Sequence, residues 1–196
     1  MGFATNPRAL EGPWEGGYAL DAHSVTSEFL GYDPFGHAMY DTQRTELGEA
    51  LFQLKYRADP SRVAPIADTV ASFFRRWCPD VDLLVPVPPS KAGNDVVRRV
   101  GEAVASILEL EFCPDCLWKE SSGKQVKNLG TVADRAEHVE GTIRTLAERV
   151  AGRGVLLIDD LFQTGTTLGE SARALKRGGS PRVSAVCLTY ARRAIS

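Results

Sequence analysis

The chain has 196 residues, enough for one medium domain, or a domain with an appendage, to bury a core without staples. It is 43% hydrophobic and 24% charged with a formal net charge of −2, so nothing drives it toward nonspecific nucleic-acid binding. No apolar stretch is long enough to span a membrane and MGFATNP lacks an apolar signal region, so a cytoplasmic protein with neither membrane nor nucleic acid as a direct ligand is expected.

The first forty residues differ from the rest, with Trp14, Tyr18, Phe29, Tyr32, Phe35 and Tyr40 set among glycines. Residues 1–45 are read as an N-terminal hood or appendage, with a short hairpin inside GYALDAHSVTSEFLG, and residues 46–196 as the main domain. Leu47, Ala50, Leu51 and Leu54 recur at helical spacing and predict a helix ending near Tyr56. Pro60 and Ser61 restart a helix that runs to Trp77 on Val63, Ile66, Ala67, Val70, Phe73 and Phe74. VDLLVPV then reads as a buried strand stopped by Pro88 and Pro89. Asn94 is placed to cap the next helix, whose apolar positions are Val97, Val100, Val104, Ile107 and Leu108.

Cys113-Pro-Asp-Cys116 is a lone CxxC with no second pair and no nearby histidine pair, short of the four ligands of a structural zinc site. It is read as two cysteines around a turn that enters a strand at LWKE, with metal binding and redox chemistry as the other readings. Residues 121–133 are polar and predict a mobile loop. VLLIDD is the clearest strand. Gly165 opens a helix through Lys176 that Gly178 and Gly179 end, and RVSAVCLTY is a last strand. Alternating strands and helices of these lengths imply an α/β fold, a mostly parallel twisted sheet flanked by helices.

The stretch VLLIDDLFQTGTT, Val155 to Thr167, carries the chemistry. With the strand at Val155–Ile158, Asp159 and Asp160 fall beyond its carboxyl end, where open parallel sheets bind ligands. Thr164, Gly165, Thr166 and Thr167 then open a helix whose free N–H groups and dipole suit a phosphate. No Walker A loop or dinucleotide fingerprint is present. A phosphate cradle after two carboxylates suits a phosphorylated sugar, the acids taking vicinal ribose hydroxyls directly or through Mg²⁺. An Asp-Asp helix cap would explain one acid and not the string.

That string resembles the 5-phosphoribosyl-1-pyrophosphate (PRPP) loop of type I phosphoribosyltransferases. DLLVPVPPSK, ELGEALFQLKYR and KQVKNLGTVADRAEHVEGTI resemble, in order and spacing, segments of the ComF-like members. The four-cysteine zinc ribbon that often begins those proteins is missing, as is their Arg-Gly-Phe-Asn-Gln pattern, and the loop after Pro89 is short. Gln163 stands where many members have Thr and purine-salvage members an acid, and a glutamine cannot be a general base.

The resemblance implies the type I phosphoribosyltransferase fold with a variable hood, and displacement of pyrophosphate from C1 of PRPP by a nitrogen nucleophile. It assigns Asp159 and Asp160 to ribose and Mg²⁺, and Thr164, Gly165, Thr166 and Thr167, with Gln163 beside them, to the 5-phosphate. Ser90, Lys91 and Lys119 are assigned to pyrophosphate, Lys124 and Arg135 to a catalytic lid, and Leu161 and Phe162 to the base pocket, with Tyr40 or Phe35 as candidates to stack on the base. The implied ligand is PRPP or a nucleotide containing ribose 5-phosphate, and a homodimer is compatible with the family. Two other readings are a PRPP- or nucleotide-binding regulator without turnover and an interaction protein using the aromatic N-terminus.

Overall fold

The computed structural model describes residues 2–89, 95–120 and 141–191. Its main sheet has six strands in the order β1-β2-β10-β9-β5-β6. These are β1 (Arg8–Ala9), β2 (Gly16–Ala22), β5 (Leu83–Pro86), β6 (Glu111–Phe112), β9 (Gly154–Phe162) and β10 (Arg182–Tyr190). Only β1 runs antiparallel to its neighbour; β2, β10, β9, β5 and β6 pair in parallel. This is the expected α/β fold with a mostly parallel sheet.

Both faces of the sheet are covered, which is why its strands read as continuous apolar runs. Alternation splits them cleanly. Leu84, Leu156, Ile158, Val186 and Leu188 pack with α1 (Glu46–Tyr56), α2 (Val63–Trp77) and α3 (Val96–Leu108). Leu83, Val85, Val155, Leu157, Val183 and Ala185 pack on the other side. There they meet Leu168, Ala172 and Leu175 from a further helix, Thr166–Arg177, which is α5 after the four-residue α4 (Ala147–Val150). Leu156 and Leu157 are fully buried, so truncating either to alanine costs about 2–5 kcal/mol.

The four predicted helices and the strands at VDLLVPV and RVSAVCLTY fall where the sequence puts them. Asp59 caps a short 3₁₀ turn, Pro60–Arg62, ahead of α2. Asp95 occupies the cap position of α3, while Asn94 lies outside the described residues. The expected mobile loop at 121–133 also lies outside them.

The N-terminal segment corrects the expectation in part. Gly16–Ala22 is a strand of the main sheet, paired in parallel with β10, and is not an arm of a hairpin. Ser24–Tyr32 (β3) and Ala38–Arg44 (β4) form a separate two-stranded hairpin. Its turn is held by the Asp33 carboxylate, which accepts the N–H groups of Phe35 and His37 at 2.8 Å each. The hairpin's return is tied to the sheet through Thr45. Its hydroxyl donates to the Ala22 carbonyl at 2.7 Å and accepts from the N–H of Gly48 at 3.0 Å, capping α1. A Cβ on Gly48 would strike the carbonyl of His23, so the glycine lets α1 dock against the end of β2.

The strand expected at LWKE is present as β7 (Leu117–Lys119), but it leaves the main sheet and pairs antiparallel with β8 (Ile143–Thr145). This small sheet stands over one side of the cleft described next.

Candidate active site

β9 runs longer than the sequence suggests. It continues past Ile158 through both aspartates to Phe162, because β10 keeps pairing with it as far as Tyr190↔Phe162. On its other side β5 stops at Pro86↔Ile158. The acids therefore lie within a strand, on the part left without a neighbour by the early end of β5. A cleft of about 1180 Å³ opens there. Its walls come from Pro86–Pro89, the first turn of α3, the last turn of α1, Pro114–Asp115, Leu117–Lys119, and the whole run Asp159–Leu168.

The structure thus brings together Asp159, Asp160, Leu161, Phe162, Gln163, Thr164, Gly165, Thr166, Thr167 and Lys119. Ser90, Lys91, Lys124 and Arg135 lie outside the described residues, although the chain on both sides of Ser90 and Lys91 lines the cleft. Tyr40 and Phe35 do not reach it. They are 58% and 85% exposed on the hairpin, where Tyr40 packs on Phe29 with ring centroids 5.5 Å apart. As candidates for base stacking they are set aside, because Tyr40 lies on a strand that pairs with its hairpin partner, Phe35 lies in the hairpin turn, and both rings face solvent.

The phosphate-cradle geometry is present. Gly165 takes a left-handed conformation, φ 76°, that only glycine enters without strain, and it turns the chain directly into α5. Gly165 gives α5 no side-chain cap; the Thr166 N–H makes a long 3.5 Å contact to Thr164 Oγ1, and the N–H groups of Thr167 and Leu168 are left for an anion or water. Thr164 Oγ1 and Thr166 Oγ1 sit 3.0 Å apart at the mouth of the turn.

The acid pair is electrostatically loaded. Burial, and then the neighbouring Asp160 charge, push the Asp159 carboxyl up from 3.8 to about 7, against the opposing pull of the Asp160 N–H, Lys55 and Lys119. Asp159 Oδ1 accepts that N–H at 2.8 Å. Burial lowers the pKa of the Lys119 ammonium, with Asp159 opposing.

Lys55 is the residue that sequence reading missed. Its Nζ donates to Asp160 Oδ2 at 2.6 Å. Burial alone would lower the pKa of Lys55, but its hydrogen bond and charge interaction with Asp160 outweigh this and raise it. The signal was present: Lys55 belongs to the Leu-Lys-Tyr segment already singled out, on a polar position at the end of an otherwise core-facing helix. Thr189 Oγ1 donates to the Asp160 carbonyl at 3.1 Å and lies 3.3 Å from His23 Nδ1. His23 is thus one side chain removed from the acids. Burial, then Arg44 and Lys55, lower its pKa.

Cys113 and Cys116 form a disulfide, with Cα atoms 5.4 Å apart, around the turn that the sequence predicts. The Cys113 N–H donates to Leu84 of β5, and the Cys116 carbonyl accepts from Leu146 N and Thr145 Oγ1. The turn therefore joins the main sheet to the small one, with Pro114 and Asp115 held against the cleft. As a disulfide the pair offers no thiolates to zinc. Among the described residues, no group of three or more His, Cys, Asp or Glu forms a metal cage. No helix among them is long and apolar enough to cross a membrane.

Comparison with known proteins agrees with this geometry. Residues 99–195 match the family model for the phosphoribosyl transferase domain. The competence protein ComFC of Bacillus subtilis (strain 168) is 29% identical over 157 residues, covering 75% of this chain and 61% of ComFC. An adenine phosphoribosyltransferase of Mycobacterium tuberculosis (strain CDC 1551 / Oshkosh) is 37% identical over 94 residues, 45% of this chain and 44% of that protein. The chain thus spans less than two thirds of the length of these curated relatives. The crystal structure of adenine phosphoribosyltransferase from Saccharomyces cerevisiae, complexed with an imino-altritol bisphosphate and adenine, superposes with a TM-score of 0.51 at 13% identity. That match covers 85% of this chain and 84% of that one, and it speaks for the fold alone. With the string from Val155 to Thr167 built as an acid-bearing strand end and a phosphate turn, residues 99–195 form a phosphoribosyl transferase domain, and the chain has the type I phosphoribosyltransferase fold.

Proposed function

We propose that the cleft binds PRPP and transfers its phosphoribosyl group to a nitrogen nucleophile. The observation that carries this is the juxtaposition, on one continuous segment, of two strand-end carboxylates and a glycine turn opening an uncapped helix. In this reading the Thr164–Thr167 turn holds the 5-phosphate through N–H groups and hydroxyls. Asp159 and Asp160 take the ribose hydroxyls. Lys119 and the end of β5 meet the pyrophosphate, and Leu161 and Phe162 give the base an apolar wall.

The two carboxylates fit Mg²⁺. They are hard oxygen donors, and Mg²⁺ is commonly held by one or two carboxylates with substrate oxygens and water completing its shell. Bound there, it would offset charge building on the leaving group. The chain's own residues position and compensate. As the C1–O bond breaks, pyrophosphate leaves with the electron pair, the nucleophile's nitrogen bonds to C1, and that nitrogen sheds a proton. The oxocarbenium-like centre is flanked by carboxylates and the departing charge by Lys119.

A second reading, a PRPP-binding regulator without turnover, is favoured by Gln163, which cannot take the nucleophile's proton. One experiment addresses both. Thermal shift with millimolar PRPP or ribose 5-phosphate, with and without Mg²⁺, is followed by pyrophosphate release over a panel of bases. Binding with release supports the enzyme and binding without release the regulator. A folded protein that shows no shift with any of these ligands refutes both.

A further inference from the structure

The acid pair already has a cation beside it. Lys55 projects from the last turn of α1, where the helix dipole favours a positive charge, and meets Asp160 at 2.6 Å. The side chains are 27% and 13% exposed, so the contact is largely withdrawn from solvent. It is a long-range contact, between residues 105 apart in sequence, and it depends on α1 being docked to the end of β2 through Thr45 and Gly48. The Asp160 backbone is fixed separately by Thr189. Asp160 is therefore held at both ends before any ligand arrives, and Asp159 feels Lys55 and Lys119 as attractive charges.

We propose that Lys55 is a positioning residue for ribose recognition, a resident counter-cation that orients the Asp160 carboxylate and offsets the charge of the pair when no divalent cation is present. The inference rests on the reading of the cleft as a phosphoribosyl site and adds a role for a side chain outside the PRPP-loop string. Two adjacent carboxylates in a partly desolvated strand end repel one another. Mg²⁺ could relieve this, and here an ammonium does so in the free protein. Two consequences separate this role from simple structural support. Ribose 5-phosphate, which lacks pyrophosphate, binds without added metal in the wild type. A divalent cation by itself binds weakly, because Lys55 holds one of the Asp160 oxygens.

The test uses Lys55→Gln, with Lys55→Met as a second neutral variant and Lys55→Arg to retain the charge, each checked for folding by circular dichroism. The probes are Mn²⁺ alone, followed by electron paramagnetic resonance, and ribose 5-phosphate, followed by calorimetry in EDTA and in millimolar Mg²⁺. Losing a charge-assisted contact should change affinity about tenfold. The neutral variants should bind Mn²⁺ about tenfold more tightly than wild type. They should bind ribose 5-phosphate about tenfold more weakly in EDTA, with most of that loss recovered in Mg²⁺. Lys55→Arg should stay near wild type in each measurement. Unchanged Mn²⁺ affinity in the neutral variants, or an equal loss of ribose 5-phosphate affinity with and without Mg²⁺, overturns the proposal. If wild type binds no ribose 5-phosphate under any condition, the phosphoribosyl reading fails by itself, and the Mn²⁺ measurement decides the counter-cation role: tightening sustains it and no change overturns it.

Discussion

Asp159→Asn should make the protein more stable at alkaline pH while removing a ligand-binding carboxylate. The Asp159 carboxyl is raised from 3.8 to about 7, chiefly by burial and then by Asp160. Between those values the folded state holds a proton that the unfolded chain releases. Wild-type stability therefore falls as pH rises from about 4 to about 7 and levels off above it. Three pKa units would correspond to about 4 kcal/mol. Asp159 keeps some solvent access, and screening reduces this to about 2 kcal/mol. Asparagine keeps the oxygen that accepts the Asp160 N–H and carries no charge to desolvate. Near pH 4 the two proteins should melt within a degree or so of one another. Near pH 8 the variant should melt about 4–8 °C higher for a chain of this size. The assay is a pair of differential scanning calorimetry series across that range without ligand. A difference in melting temperature that does not vary with pH, or a wild type that is the more stable protein at pH 8, would refute the argument that burial strains this carboxylate.

Asp159→Asn combined with Asp160→Asn should weaken PRPP binding roughly 100-fold with the circular dichroism spectrum preserved, as two charge-assisted contacts are lost; calorimetry that returns wild-type affinity would mean the ribose is held elsewhere. Gly165→Val forces a branched side chain to φ 76° and sets its Cβ 2.8 Å from the Phe162 ring, so about 2–3 kcal/mol of stability and most of the 5-phosphate affinity should be lost, read by urea melts and calorimetry. Glu170 is 1% exposed and accepts from Arg177 at 2.7 Å and from the Gly141 N–H at 3.1 Å; Glu170→Ala should lower the melting temperature by about 5–10 °C, and an unchanged melt would show that its partners are rehydrated without cost.

Much of the fold could be read from periodicity because its sheet is buried on both faces. Leu83–Pro86 and Val155–Ile158 are apolar on every residue and Val183–Leu188 on all but Ser184, and α1 and α2 each turn one stripe inward. β2 was harder. Gly16, Gly17 and Asp21 break its apolar pattern, and its position is set by pairing with β10 at the far end of the chain, which no local window detects. The boundary of β9 was misread for a related reason. Charged residues ordinarily end a buried strand, yet here β10 carries the pairing past both acids. Within the site, the acids and the phosphate turn were legible because they lie on one string. Lys55 was not, because its role depends on how α1 packs, 105 residues away from its partner.

The pairing of β2 with β10 also bears on how the protein is made. Ser184 aligns with Gly16, so the second position in strand order is filled by chain that leaves the ribosome about 170 residues before its main neighbour. At 5–20 residues per second the wait is about 10–30 s. During it Ala19, Leu20 and Ala22, which are buried in the finished protein, have only the two-residue β1 to pair with. Gly16–Ala22 is thus a stretch of nascent chain that must wait unpaired on its β10 side, and the sheet that carries the acid pair closes only when the last strand arrives.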